Sequence, residues 1–300
     1  MKSTRLGYLL AFTAFTVFAM QDAISKHLGD SYSPVVVALV RYWAFAAFAI
    51  FLARRAGGVR HSLKTKHPVL QTIRGILLAG QIIISVAAFH YAGLAQSQAI
   101  FASGPIIVAL LSVPILGEKV GWRRWTAIGV GLCGVLLILS PDSSGLNVYF
   151  LLPLATACAG ALYGVLTRLV SRDDPPVTSF VYMCFVGFVG INLISPAFLT
   201  PIATEDWGWM AALCCTGIIG HFSLIRAYDN LDAVVIQPIT YWQLVFGSTL
   251  AVFIFGETLT FNMVAGAIIV VGAGLFTVWR EHVLNRRAAL EARKQQAAAR

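Results

Sequence analysis

The feature that most restricts what this chain can become is a succession of apolar blocks, each roughly 17 to 23 residues long and set apart by short polar, glycine- or proline-marked connections. At a helical rise of about 1.5 Å per residue, blocks of that length match about 30 Å of hydrocarbon. With 58% hydrophobic and 12% charged residues and a mean hydropathy of +0.78, a water-soluble fold could not cover its own surface with polar groups. The bilayer is therefore the solvent for most of the chain. The pattern predicts an all-α membrane protein with ten transmembrane helices, at Leu6–Ile24, Pro34–Leu52, Ile73–Ala92, Ala95–Leu116, Trp122–Leu139, Val148–Val170, Val177–Phe198, Trp207–Ala227, Ala233–Phe255 and Phe261–Trp279.

Charge placement orients these spans. With the N-terminus on the cytoplasmic side, all of the 22 lysines and arginines except Lys26 and Arg41 fall in inner segments or at inner helix ends. The 13 acidic residues divide between both sides, as expected of a rule that counts positive residues rather than net charge. Both termini are expected to be cytoplasmic. The net charge of +9 is thereby explained without nucleic acid as a partner. Lys2 and Arg5 precede an apolar run as in a secretory leader, but Ala19-Met20-Gln21 is a poor cleavage site, and the first span is expected to stay. Cys133, Cys158, Cys184, Cys214 and Cys215 all lie in apolar blocks without metal-site spacing and read as small packing residues. No cofactor or metal is expected.

The chain repeats itself. A shift of 139 residues places Ala88 on Ala227, Gln98 on Gln237, Gly117-Glu118 on Gly256-Glu257 and Leu136 on Leu275, and a shift of 142 places Lys26 on Arg168 and Pro34 on Pro176. This divides the chain into a first repeat over residues 1–140, a second over 141–280 and a basic tail over 281–300. Five crossings per copy put the second copy in the membrane upside down. Two inverted bundles can exchange conformations around a central site, which is the mechanical basis of alternating access.

Lys26, Pro34 and the intramembrane Arg41, the run Ala88-Phe89-His90-Tyr91, Pro105 thirteen residues before Glu118, a glycine-rich fifth span (Gly129, Gly131, Gly134), and the second-half counterparts from Ala227 through Glu257 to Gly266, Gly272 and Gly274 together resemble the EamA family of the drug/metabolite transporter superfamily. The resemblance extends to about Arg280. It departs in the ninth span, where Leu244 follows Tyr241-Trp242-Gln243 at the family's usual proline position and Pro238 lies earlier. The resemblance implies the EamA fold of two inverted five-helix repeats, in a multi-pass exporter of amino acids or related metabolites, in particular aromatic or other apolar neutral ones, in a bacterial inner (plasma) membrane. It implies no enzyme.

Polar side chains inside spans are costly in lipid and therefore mark cavity or interhelical positions. Gln98 and Gln237 are repeat mates beside Pro105 and Pro238, and Gln243 follows close behind; glutamine both donates and accepts, which suits a zwitterion or an amide. The bland alternative is interhelical bonding, at about 0.6 kcal/mol each. Tyr91, Tyr163 and Trp242 are the aromatic candidates for a cavity wall, against ordinary packing. His90 and His221 are the histidines within spans, either proton relays or hydrogen-bonded structural groups. Arg41, buried by position, needs a partner, for which Asp22 and Glu257 are the outer-side acids; the pair either gates the outer mouth or is structural. No acid is expected deep in any span, which favours net-neutral cargo. Gly129 and Gly134, like Gly266 and Gly272, are expected to mark close helix packing. The alternative functions are a sugar-phosphate or nucleotide-sugar exchanger, a broad drug exporter of the same superfamily, and, from another class, an intramembrane enzyme. Expected partners are a small-molecule solute and the lipid bilayer, with oligomeric state open.

Overall fold

The computed structural model describes residues 4–116, 122–139, 147–170, 173–231 and 236–298. Twelve α-helices run in the order α1 (Thr4–Gly29), α2 (Pro34–Arg55), α3 (Val59–Ser62), α4 (Pro68–Ala92), α5 (Leu94–Phe101), α6 (Gly104–Leu116), α7 (Trp122–Ile138), α8 (Leu151–Val170), α9 (Pro176–Ile194), α10 (Trp207–Asn230), α11 (Thr240–Phe255) and α12 (Phe261–Ala298), with no strand among the described residues. Among the described residues, seven helical segments are long and apolar enough to cross a membrane, and three shorter apolar helices, Trp125–Ile138, Thr240–Phe255 and Phe261–Thr277, fall below that length. The outward-facing side chains agree with a lipid surround: Phe253 and Phe261 are more than four-fifths exposed, at 84% and 83%, in a fold that water would penalise at every such site.

Proline, glycine and the capping hydroxyls set the helix ends. Pro34, Pro68 and Pro176 each open a helix in its first turn, where a missing N–H costs nothing. Ser33 accepts the Val35 N–H at 3.3 Å. Several helices differ from their expected spans. α1 continues past Ile24 to Gly29. The fourth span breaks at Ala102-Ser103 into α5 and α6, with Pro105 in the first turn of the second piece. In the ninth, a 3-10 turn, Gln237–Ile239, precedes α11. The regular helix is thus interrupted beside Pro105 and Pro238, where each ring withholds an N–H. α12 runs on without a break through the expected boundary at residue 281, for 38 residues or about 57 Å.

The largest helix contacts follow the exchange symmetry of a duplicated bundle. α1 packs on α10 as its repeat mate α8 packs on α4; α1 meets α11 as α8 meets α6; α4 touches α9 as α10 touches α2. Three further large contacts, α2 with α9, α5 with α11 and α7 with α12, join each helix to its own repeat mate. Lipid supplies no hydrophobic drive between helices, so close backbone approach and dispersion hold these pairs. At the α7–α12 crossing, a Cβ on Gly134 would meet the Gly266 carbonyl oxygen at 2.9 Å, and one on Gly266 would meet that of Gly134 at 2.7 Å. Gly129 and Gly272, also expected to mark close packing, have nothing within 4 Å of such a Cβ. They sit on the opposite faces of the same helices.

The connections are pinned across the two halves. Asp174, between α8 and α9, accepts the Thr65 hydroxyl, the Lys66 N–H at 3.1 Å and the Gln71 amide at 2.9 Å. Its counterpart at the 142-residue shift, Tyr32, reaches the connection between α9 and α10, donating to Asp206 at 2.6 Å and accepting the Ala203 N–H at 3.0 Å. Burial alone would raise the Asp174 carboxyl, but the Thr65, Gln71 and Lys66 donors outweigh it and hold the group below its ordinary 3.8. A depressed carboxyl stabilises the fold above its unfolded value and loses that contribution as pH falls. Asp174→Asn is therefore expected to melt below the parent at neutral pH, with the gap closing as pH drops beneath 3.8. Thermal melts of both proteins across pH check this.

Candidate solute cavity

Where α1, α2, α4, α5, α6, α8, α10 and α11 converge, they leave a cavity of about 380 Å³ lined from both halves of the chain. α1 contributes Phe15, Phe18, Gln21, Asp22 and Ser25, which recur at three- and four-residue steps and so share one helix face. Asp22 lies seven residues inside the end of α1, about 10 Å by the helical rise. The absence of a deep acid, expected while the first span seemed to stop at Ile24, does not hold once α1 runs to Gly29.

A polar cluster crosses the cavity between the halves. Gln98 on α5 donates to Asp22 Oδ2 at 2.8 Å, and Gln243 on α11 donates to the same oxygen at 2.7 Å. A side chain on Gly247 would meet the Gln98 amide nitrogen at 2.8 Å, so the glycine makes room for this cluster. Arg41 is buried, at 5% exposure, with its guanidinium 5.2 Å from the Phe45 ring centre. Its Nη2 donates to Gln21 Oε1 at 3.0 Å, while its Nε–H has no partner. His221 completes the wall, flanked edge-on by Phe18 and Phe45. Pro105 and Leu244, equivalent positions of the two halves, both line the space, so the departure from the repeat pattern in the ninth span lies at the cavity itself.

Of the residues singled out from the sequence, the fold gathers Gln98, Gln243, Asp22, Arg41 and His221 here. Others go elsewhere. Tyr163 receives a hydrogen bond from Arg74 at 3.5 Å, with the guanidinium over its ring, and donates to the Met183 sulfur at 3.1 Å. Trp242 faces away, donating to Thr16 at 2.9 Å and stacking on Phe246. Tyr91 stacks on Tyr149, and His90 shares a 2.6 Å hydrogen bond with Asp30. Trp242 and His90 turn out of the cavity while their chain neighbours Gln243 and Phe89 line it. The Gln237 side chain lies outside the described residues.

Neither expected acid forms an ion pair with Arg41. Gln21 holds it instead, and Glu257 pairs with Lys26 Nζ at 3.2 Å. Glu257 also accepts the N–H groups of Leu94 and Ala95 at 2.9 and 2.8 Å, capping the start of α5. Gly256, at φ 63°, ends α11 in the left-handed region and turns the chain so that Glu257 lands there. Gly93, at φ 86°, receives it without a side chain that would approach the carboxylate to 3.1 Å. The repeat mates Gly117 and Glu118 lie outside the described residues.

The wall also carries two amides that the sequence reading did not single out, Gln21 and Gln81. Gln81 packs where Gly160 leaves space, with its Oε1 unpartnered among the described residues.

Both halves match one family of known proteins, the EamA-like transporters, over residues 5–140 and 147–279. Curated relatives include an S-adenosylmethionine uptake transporter of Rickettsia prowazekii (strain Madrid E), 26% identical over 88% of this chain and 89% of that protein. A riboflavin transporter of Vibrio cholerae is 27% identical over 91% and 93%, and a pseudopaline exporter of Pseudomonas aeruginosa 25% identical over 89% and 94%. A solved crystal structure aligns with TM-score 0.65 at 19% identity, covering 95% of this chain and 99% of its own, which is a likeness of fold.

Proposed function

The chain belongs to the EamA-like transporter family, and from that membership we propose that it carries a small, net-neutral organic solute through the cavity by alternating access. It is a membrane transporter. In this reading ten helices span the membrane, the shorter three included, and the halves are inverted with both termini cytoplasmic. The membrane is a bacterial inner membrane, and neutral amino acids are the first cargo to test. The relatives' names differ among S-adenosylmethionine, riboflavin and pseudopaline, so they support transport and leave the cargo to the cavity's own chemistry.

The observation that carries the proposal is the bonding of Asp22 by amides from both halves, Gln98 and Gln243. A polar cluster shared between repeat mates is where relative motion of the two bundles would be felt first. A sugar-phosphate or nucleotide-sugar cargo is disfavoured, because the single cavity arginine, Arg41, is offset by Asp22. Proteoliposomes containing the purified chain, offered labelled amino acids with and without a pH gradient, test both cargo and coupling. Gln98→Ala and Gln243→Ala are each expected to lower uptake about fivefold to tenfold at unchanged incorporation, the loss of one charge-assisted hydrogen bond. Uptake equal to the parent in both variants would defeat the proposal.

A further inference from the structure

Asp22 and Arg41 share the cavity without touching as an ion pair, and each keeps hydrogen-bonding capacity unused. Both amides that reach Asp22 bind Oδ2, which leaves Oδ1 without a donor among the described residues. On Arg41, a residue only 5% exposed, Nη2 is held by Gln21 and the Nε–H is enclosed without a partner. A buried charge that is neither paired nor fully hydrogen-bonded is expensive, so a wall whose anion keeps an open acceptor and whose cation keeps open donors is incomplete without a ligand. Around these two poles the wall is largely apolar and aromatic, with Phe15, Phe18, Phe89 and Phe101.

We propose that Asp22 and Arg41 are the two poles of a charge-reading site that selects zwitterions, a cationic centre of the solute docking on Asp22 Oδ1 and its carboxylate on the Arg41 guanidinium. The inference rests on the carrier reading above and deepens it. A solute with only a cationic group would leave Arg41 unmet, and one with only a carboxylate would leave Asp22 unmet. Either mismatch leaves a buried charge uncompensated, the situation in which binding sites discriminate most strongly. The separation of the poles along different helices also ties binding to geometry, because α1 and α2 must hold their present relation for both contacts to form at once. Gln21 sets that relation by bridging the helices through its own side chain.

The test uses three ring-bearing probes that differ only in charge: phenylalanine, phenylethylamine and phenylpropionate. Calorimetric titration of the purified full chain is expected to show phenylalanine binding about tenfold or more tightly than either of the others, since each lost contact is a charge-assisted hydrogen bond. Asp22→Asn is expected to abolish the preference over phenylpropionate while keeping that over phenylethylamine, and Arg41→Gln to do the reverse. Equal binding of the three probes by the parent, binding of none, or variants that retain the parent's ranking would each overturn the proposal. Should either variant elute as aggregate, the parent's ranking alone decides. Uptake in proteoliposomes is read separately: transport of an uncharged solute with no zwitterion preference sinks the charge reading and spares the carrier, whereas absence of any transport sinks the carrier.

Discussion

Gly266→Val is expected to destabilise the protein by about 3 kcal/mol, because the α7–α12 crossing has backbone against backbone and no flexible side chain that could give way. A Cβ at Gly266 would stand 2.5 Å from Ile138 Cγ1, 2.7 Å from the Gly134 carbonyl oxygen and 3.1 Å from the Ile138 nitrogen. Two of those three atoms belong to backbone, so relief requires moving a whole helix. In lipid the cost is not offset by extra burial, since the surrounding chains are as apolar as the valine. The predicted readout is a large fall in melting temperature and in the monodisperse fraction after extraction. Gly272→Ala on the same helix serves as the control, with nothing within 4 Å of its new methyl, and is expected to melt with the parent. Equal melting of Gly266→Val and the parent would mean that the crossing is not where the structure places it.

Glu257→Ala should produce the second large effect, and for a different reason. One carboxylate there serves three donors: the Lys26 ammonium at 3.2 Å and the first two free N–H groups of α5 at 2.9 and 2.8 Å. Lys26 donates in addition to the Phe89 carbonyl at 3.2 Å, so the same contact ties α1, α4, α5 and the end of α11. Removing the carboxylate strands a cation that is only 12% exposed and leaves the helix start uncapped, at a cost of about 3 kcal/mol. Glu257→Gln keeps an acceptor for the cap while losing the charge, and is expected to fall between alanine and parent in thermal melts. If glutamine and alanine cost the same, the ion pair rather than the cap carries the interaction; if neither shifts the melt, the contact is superficial. Because α5 also positions Gln98 on Asp22, transport by Glu257→Ala is expected to fall along with stability.

The degree to which the site was legible follows from the kind of residue concerned. Gln98 could be singled out because a glutamine within an apolar block, repeated at the 139-residue shift, needs a polar environment wherever the helix turns. Gln243, Arg41 and His221 stood out as polar groups inside apolar blocks, whereas Asp22 was noted only as an outer-side acid that could partner Arg41. Aromatic residues were poor guides. Tyr163 and Trp242 satisfy their polar atoms on Arg74 and Thr16, and a ring packs as well against lipid or another helix as against a cavity. Gln21 and Gly247 had no sequence signal of their own, since their roles exist only because α2 and α5 approach them.

What the sequence determined by itself was everything carried by local composition or by order along the chain: the bilayer as solvent, the approximate positions of the apolar helices, and the duplication. These depend on hydrophobic transfer and on backbone chemistry, which act within a few residues. The tertiary structure alone decided that α1 runs on to Gly29 and brings Asp22 into the wall, that Glu257 goes to Lys26 and the start of α5, and that Gln21 rather than an acid holds Arg41. Each of these depends on the rotation of one helix against another, and in an almost uniformly apolar chain nothing local sets that rotation; close packing between the helices does.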